Sequence, residues 1–177
     1  MHKCIVQGDC DGLCGIYSAL NAANALLKMD KKDHEILFKK MVCSIADREN
    51  FAYTIINGIN AIQMGKLVEI IIQYAKKYYK AQVVKKILST DNNNAAGVWR
   101  NLSDFINAND GRYRVIIVGL ENKYEHWTCI SRITMASLHL IDSSGMKIIK
   151  KSAMTTGKTV KKNYRIVPGE ACGLYIK

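Results

Sequence analysis

The chain has one proline in 177 residues, few aromatics (8%) and a shortage of acid, with 15 carboxylates against 26 lysines and arginines. Each scarcity excludes something. With no low-complexity tract and no internal repeat, linker-like, collagenous and solenoid architectures are ruled out. The longest apolar runs are four or five residues, as in RVIIVGL, far short of the ~20 that span a bilayer. After Met1-His2-Lys3 the sequence reaches polar QGDCDG within a few residues, leaving no room for the apolar core of a signal peptide. The expectation is a cytoplasmic, reducing home, or delivery into a target cell without a cleavable signal. In that setting the six cysteines (Cys4, Cys10, Cys14, Cys43, Cys129, Cys172) read as free thiols, ligands or nucleophiles rather than a disulfide framework.

What is present points to a globular domain. At 49% hydrophobic, a chain of this length buries roughly 70% of its unfolded surface and is most simply one domain, residues 1–177. The net charge of +11 invites a nucleic-acid reading. The lysines, however, fall in scattered pairs that suit solvated helix faces. One segment is denser: Lys147 to Arg165 holds seven basic residues and no acid. It reads as a lysine-rich surface or as a patch for an acidic partner or nucleic acid.

Helical patterns come first. Residues 14–28 place Ile16, Leu20, Ala23 and Leu27 on one face, predicting an amphipathic helix that starts at Cys14. Further helices are expected over 33–46, with Asp33 as cap, over 64–79 and over 98–108. A strand is expected over 81–88 and a loop over 89–97. From residue 112 the texture turns to short β-rich runs: 112–121, 126–133, 137–143, 146–151, 164–168 and 172–177. A helical half (about 1–110) followed by sequential strands (about 111–177) predicts α+β with an antiparallel sheet.

Within the strands, His126 opens one and Asp142 closes the next. A hairpin turning near Thr134 to Ser137 makes them cross-strand neighbours, carboxylate against imidazole. Cys14, at a helix start, completes a chemical set. A helix N-terminus and a neighbouring imidazolium together lower a cysteine pKa to about 3.5–7.5 and expose the thiolate nucleophile. The histidine protonates the leaving group, the carboxylate orients it, and Gln7 can offer its amide to the developing oxyanion beside the Cys14 N–H.

The order Gln7, Cys14 at a helix start, His126-Trp127 on a strand and Asp142 after the next strand resembles the papain-like cysteine peptidase superfamily. The sixteen-residue gap from His126 to Asp142 and the run CGIYS carry that resemblance. CDGLCG stands where papain enzymes have Cys-Gly-Ser-Cys-Trp. GLCGIYSALNA followed by HW is closer to compact members: Josephin-type deubiquitinases, compact bacterial peptidases and papain-fold bacterial effectors. The resemblance implies a papain-like α+β fold, Cys14 as nucleophile, His126 as base, Asp142 as orienter and Gln7 as oxyanion donor, with no cofactor. It implies hydrolysis of an amide or isopeptide bond in a protein substrate, acidic or ubiquitin-like; the short apolar runs and scattered lysines argue separately against a membrane or nucleic-acid partner. Residues 29–110 carry no resemblance.

Competing readings stay open. Cys10 is a rival nucleophile within a Gly/Asp turn. Cys4, Cys10, Cys14, His126 and Cys129 could form a zinc site, although CDGLC and HWTC make an irregular ligand pattern. Asp142 could cap its Ser-Ser-Gly turn, leaving Asp104 or Asp110 as the acid. His2, His34 and His139 read as surface or structural. Deamidation or transglutaminase-like acyl transfer would use the same residues, and a non-catalytic basic binding module would dispense with them. The Gly119–Glu125 and 152–162 loops are expected to flank the cleft.

Overall fold

The computed structural model of the chain describes residues 4–7, 12–45, 51–89, 94–158 and 161–177. Among them, helices and strands follow one another as α1 (Cys14–Leu27), α2 (Lys31–Ile45), α3 (Phe51–Asn57), α4 (Ala61–Tyr74), β1 (Val83–Ile87), α5 (Ala95–Ile106), β2 (Arg114–Asn122), β3 (His126–Ile133), β4 (Ser137–Ile141), β5 (Ile148–Lys150), β6 (Met154–Thr155) and β7 (Tyr164–Ile176). The fold is α+β. The strands form one sheet in the order β1-β7-β2-β3-β4-β5, with β6 beside β7. Every pairing is antiparallel except that of the two-residue β6.

Side chains alternate across the sheet, and both faces are covered. On one face Val115, Ile117, Trp127, Cys129 and Leu174 join the core of α1, α2 and α4. On the other, Ile116, Val118, Leu120, Ile130 and Leu138 pack with Val98, Trp99, Leu102 and Phe105 of α5. Burial on both sides explains why β2 reads as an unbroken apolar run. No described helix is long and apolar enough to cross a membrane.

Several local expectations need correction. The α1 helix is not amphipathic: every residue except Tyr17 is buried, because the helix lies between α2, α4 and the sheet, and helices buried on all sides show no polar stripe. Its alanines permit that close approach. Asp33 does not cap α2. Asp30 does, its Oδ1 accepting the Asp33 N–H at 2.8 Å, while the Asp33 carboxylate receives the hydroxyls of Tyr74 and Tyr79. The supposed loop 89–97 ends early, since Asn94 accepts from Gly97 N–H at 2.8 Å and starts α5 at Ala95. The runs 164–168 and 172–177 belong to one strand, β7. Against it, Val118 pairs with Ala171 and Leu120 with Ile166, so residues 167–170 bulge out. The bulge accommodates Pro168, which cannot donate to a ladder.

Candidate active site

The imidazole side is built by the hairpin of β3 and β4. Thr134 N–H donates to Ser137 O at 2.9 Å across the turn, Ile133 faces Leu138, and Cys129 faces Ile141. A bulge between Ile130 and Arg132 shifts the register, and the far end of the hairpin brings His126 Nε2 to 2.6 Å from Asp142 Oδ2. The Asp142 side chain is fully enclosed and that of His126 is 10% exposed. The other carboxylate oxygen accepts from Ser144 N at 3.0 Å, Ser144 Oγ at 2.8 Å and Met146 N at 3.0 Å. So Asp142 organises the Ser-Ser-Gly turn and holds the imidazole at once; the two readings of this residue were not alternatives.

The thiol side is assembled from three distant pieces. Cys14 is the first residue of α1, where N–H groups have no intrahelical partner. Its Sγ accepts the N–H of Trp127, the residue that follows His126, at 3.5 Å. Gly12 lies against the end of α3: its N–H donates to Ile55 O at 2.6 Å, and an added Cβ would stand 2.7 Å from Ile56 O and 2.8 Å from Gly58 N. A Cβ on Gly15 would meet Ile59 at 2.4 Å. Trp127 Nε1 donates to Ile59 O at 2.9 Å and Ser18 Oγ to Trp127 O at 2.7 Å. The glycines flanking Cys14 therefore serve close packing, and Trp127 ties the histidine strand to the cysteine helix and the α3–α4 junction.

Residues 4–7 form the third piece. Asn21 of α1 clasps the backbone of Ile5 through both ends of its amide, at 2.9 and 3.1 Å. Gln7 N–H donates to Ser143 O at 3.0 Å, and Ser143 Oγ donates to Gln7 Oε1 at 3.3 Å. That bond engages the acceptor end of the Gln7 amide and sets which way the donor end turns. Three consecutive residues thus hold the groups of the site: Asp142 the imidazole, Ser143 the Gln7 amide, Ser144 the carboxylate.

The electrostatics follow from this geometry. Burial alone would push the His126 imidazole down, but the bonds with Asp142 and then Cys14 outweigh it and hold it up at about 9. Burial would push the Asp142 carboxyl up, yet its bond with His126 draws it down to about 2. At neutral pH the pair is an imidazolium and a carboxylate.

An open groove of about 870 Å³ runs beside these groups, lined by Val6, Gln7, Lys123–His126, Ser143–Met146 and Tyr164. Of the expected flanking loops, the 123–125 stretch lines it. Gly119 instead sits against Glu170, and the 152–162 loop adjoins the rim, Lys162 O accepting from Asn122 Nδ2 at 3.0 Å. A second cavity of about 430 Å³ lies between α5, β1 and β2. Asp104 and Asp110 line it without any cysteine or histidine, and Asp110 is bound to Arg114. Neither is the acid beside His126.

Cys10 and His2 lie outside the described residues. Among those described, no three His, Cys, Asp or Glu side chains gather closely enough to hold a metal. Cys4 donates to Asp142 O at 3.2 Å, and burial raises its pKa as it raises those of Cys129 and Cys172. His139 meets Arg132 Nη2 at 3.2 Å, a partner the sequence did not reveal. The sequence also missed the parts played by Ser143, Ser144 and the α3–α4 junction. The serines were visible only as turn formers. No protein-family model matches the chain, and no curated protein matches it either.

Proposed function

We propose that the protein is a papain-like cysteine hydrolase that cleaves an amide or isopeptide bond in a protein substrate. One observation carries this reading: His126 is bonded to a fully enclosed carboxylate, and the thiol at the start of α1 accepts the backbone N–H of the very next residue, Trp127. Asp142 and Ser144 engage Nε2, so Cys14 is served by the remaining ring nitrogen, Nδ1.

The chemistry runs through these atoms. With the proton on His126, Cys14 Sγ attacks the carbonyl carbon as a thiolate, and a C–S bond forms. The oxyanion is received by the Cys14 backbone N–H and the Gln7 side-chain amide. As the C–N bond breaks, Nδ1 delivers its proton to the departing amine, leaving a thioester. His126 then takes a proton from water, which attacks the thioester and releases the acid and Cys14. Asp142 keeps the ring aligned and charged without itself reacting.

If a primary amine replaces water, the same residues transfer the acyl group. If the scissile amide is a glutamine side chain, they deamidate it. Mass spectrometry of candidate protein substrates after incubation with the enzyme and with Cys14→Ala separates these products. Cys14-dependent peptide or isopeptide cleavage is expected. A Cys14-dependent gain of about one mass unit without chain cleavage would make deamidation the reaction, and no Cys14-dependent product would remove the enzyme reading.

A further inference from the structure

The surfaces next to His126 and next to the start of α1 differ in charge. On the His126 side, Lys123 lines the groove with its Nζ 5.4 Å from the Tyr124 ring centre, and Tyr124 stacks on Tyr164 at 6.2 Å. Lys123 N–H donates to Asn163 O at 3.0 Å; Lys162 precedes Asn163, its Nζ donating to Ser152 O at 2.7 Å, and Lys147 follows the lining residue Met146 in sequence. All three lysines are exposed, and among the described residues no carboxylate lies within ion-pair distance of any of them. The nearby acids are Glu121, which Arg165 occupies, Glu170 beside that pair, and Glu125 in the groove itself.

On the Cys14 side, the sequence from Phe51 to Gly65 contains no charged residue. Gly12 and Gly15 pack directly against this segment. Its Tyr53, Ile56 and Ile62 are 66%, 70% and 75% exposed, and Tyr53 and Ile56, three apart, share one face of α3. Isolated exposed apolar residues need no explanation. Three of them lie on one uncharged segment that packs against the glycines flanking Cys14.

We propose that the groove receives an acidic protein segment. Its carboxylates meet Lys123, Lys147 and Lys162, and its apolar side chains rest on Tyr53, Ile56 and Ile62. This rests on the cysteine-hydrolase reading above and narrows its substrate class. A polynucleotide would match the lysines equally but would gain nothing from the uncharged apolar border. Exposed rim charges add little affinity singly. Together they speed encounter with an oppositely charged partner and penalise a like-charged one.

Binding to the Cys14→Ala protein tests the surface without requiring turnover. The probes are a fluorescent peptide in which glutamates flank a pair of leucines, its lysine counterpart, and a fluorescent oligothymidylate, all followed by anisotropy. The glutamate peptide should bind more tightly than the lysine peptide and weaken with added salt. Lys123→Glu/Lys147→Glu/Lys162→Glu should weaken it about tenfold or more and invert the preference. Ile56→Asp/Ile62→Asp should weaken it while leaving its salt dependence in place. Circular dichroism of each variant confirms that these exposed sites leave the fold intact. Equal affinity for the two peptides, or indifference to the charge reversal, overturns the proposal. So does tighter binding of oligothymidylate that ignores the isoleucine changes. Acidic-peptide binding without any Cys14-dependent product would keep the docking surface and discard the enzyme. Cys14-dependent cleavage without acidic preference would do the reverse.

Discussion

The imidazole side and the thiol side of the candidate site are built in opposite ways. His126 and Asp142 are sixteen residues apart on one hairpin, and a turn at 134–137 suffices to bring them together. Cys14 is seated beside them by Trp127, which ties the start of α1 to the α3–α4 junction, while residues 4–7 are held by Asn21 of α1 and by Ser143. A contact set by local register is robust and can be read from spacing. A contact set by three converging segments depends on packing far from the chemistry. The first kind of site should survive substitutions that disable the second.

Complete loss is expected on the thiol side: Cys14→Ala should abolish turnover and leave the melting temperature nearly unchanged, because alanine fits a helix start. Asp142→Ala should cost less, since in the proposed mechanism the carboxylate orients and does not react. Wild-type turnover in Asp142→Ala would remove the hairpin from the mechanism.

Next in size is Gln7→Ala, for which the proposed oxyanion role predicts a fall in kcat of about 10²–10³-fold with KM little changed. Ser143→Ala removes only the bond to Gln7 Oε1 and should reproduce a weaker form of the same kcat loss. A change confined to KM in both variants would place Gln7 in substrate binding.

Gly12→Ala sharpens the contrast on stability. The added Cβ meets backbone atoms of Ile56 and Gly58, which cannot yield by a rotamer change, so a loss of about 1–3 kcal/mol is expected in denaturant unfolding. Its counterpart on the other side, Ala136→Gly in the exposed β3–β4 turn, should cost less than about 1 kcal/mol. Equal costs would mean that the two sides are equally tolerant.

The smallest effect is on pH. The His126 pKa is raised from 6.5 to about 9 in the folded protein, so its stabilising contribution is complete below pH 6.5 and fades as pH rises through 9. The Asp142 pKa is lowered from 3.8 to about 2, so its contribution is complete above pH 3.8 and fades as pH falls through 2. Thermal melts should show a plateau between those limits, and the His126→Ala protein should lose the decline on the alkaline side. An unchanged alkaline decline in that variant would separate His126 from the stability of the fold.

The sequence made legible what depends on period and spacing. The helical half, the antiparallel sheet and the His126–Asp142 pairing all follow from runs and turns within a few residues of each other. It misled where tertiary burial overrode local pattern. The α1 helix looked one-sided and is enclosed, and β7 looked like two strands because Pro168-Gly169 resembles a turn when its partner β2 is out of view. The α3 helix went unnoticed, and with it the junction that seats Gly12, Gly15 and Trp127, because FAYTIIN is short and uncharged and gives no period to read. Ser143 and Ser144 looked like turn formers, and only coordinates show the bonds they make to Gln7 and Asp142.

The pairing of Cys14 with His126 can be measured directly by alkylation. A limiting amount of iodoacetamide at about pH 6, well below the ordinary thiol range, followed by peptide mass spectrometry, ranks the cysteines by reactivity. Burial raises the pKa of Cys4, Cys129 and Cys172, so exposed Cys43 is the competitor to watch among the described cysteines. Cys14 should be modified ahead of all the others. In His126→Ala, with the imidazolium gone and only the helix terminus acting, that preference should vanish at pH 6 and return only at higher pH. Labelling that follows exposure alone, with Cys43 first and no difference between wild type and His126→Ala, would contradict a thiol–imidazole pair and leave the groove a binding surface without a nucleophile.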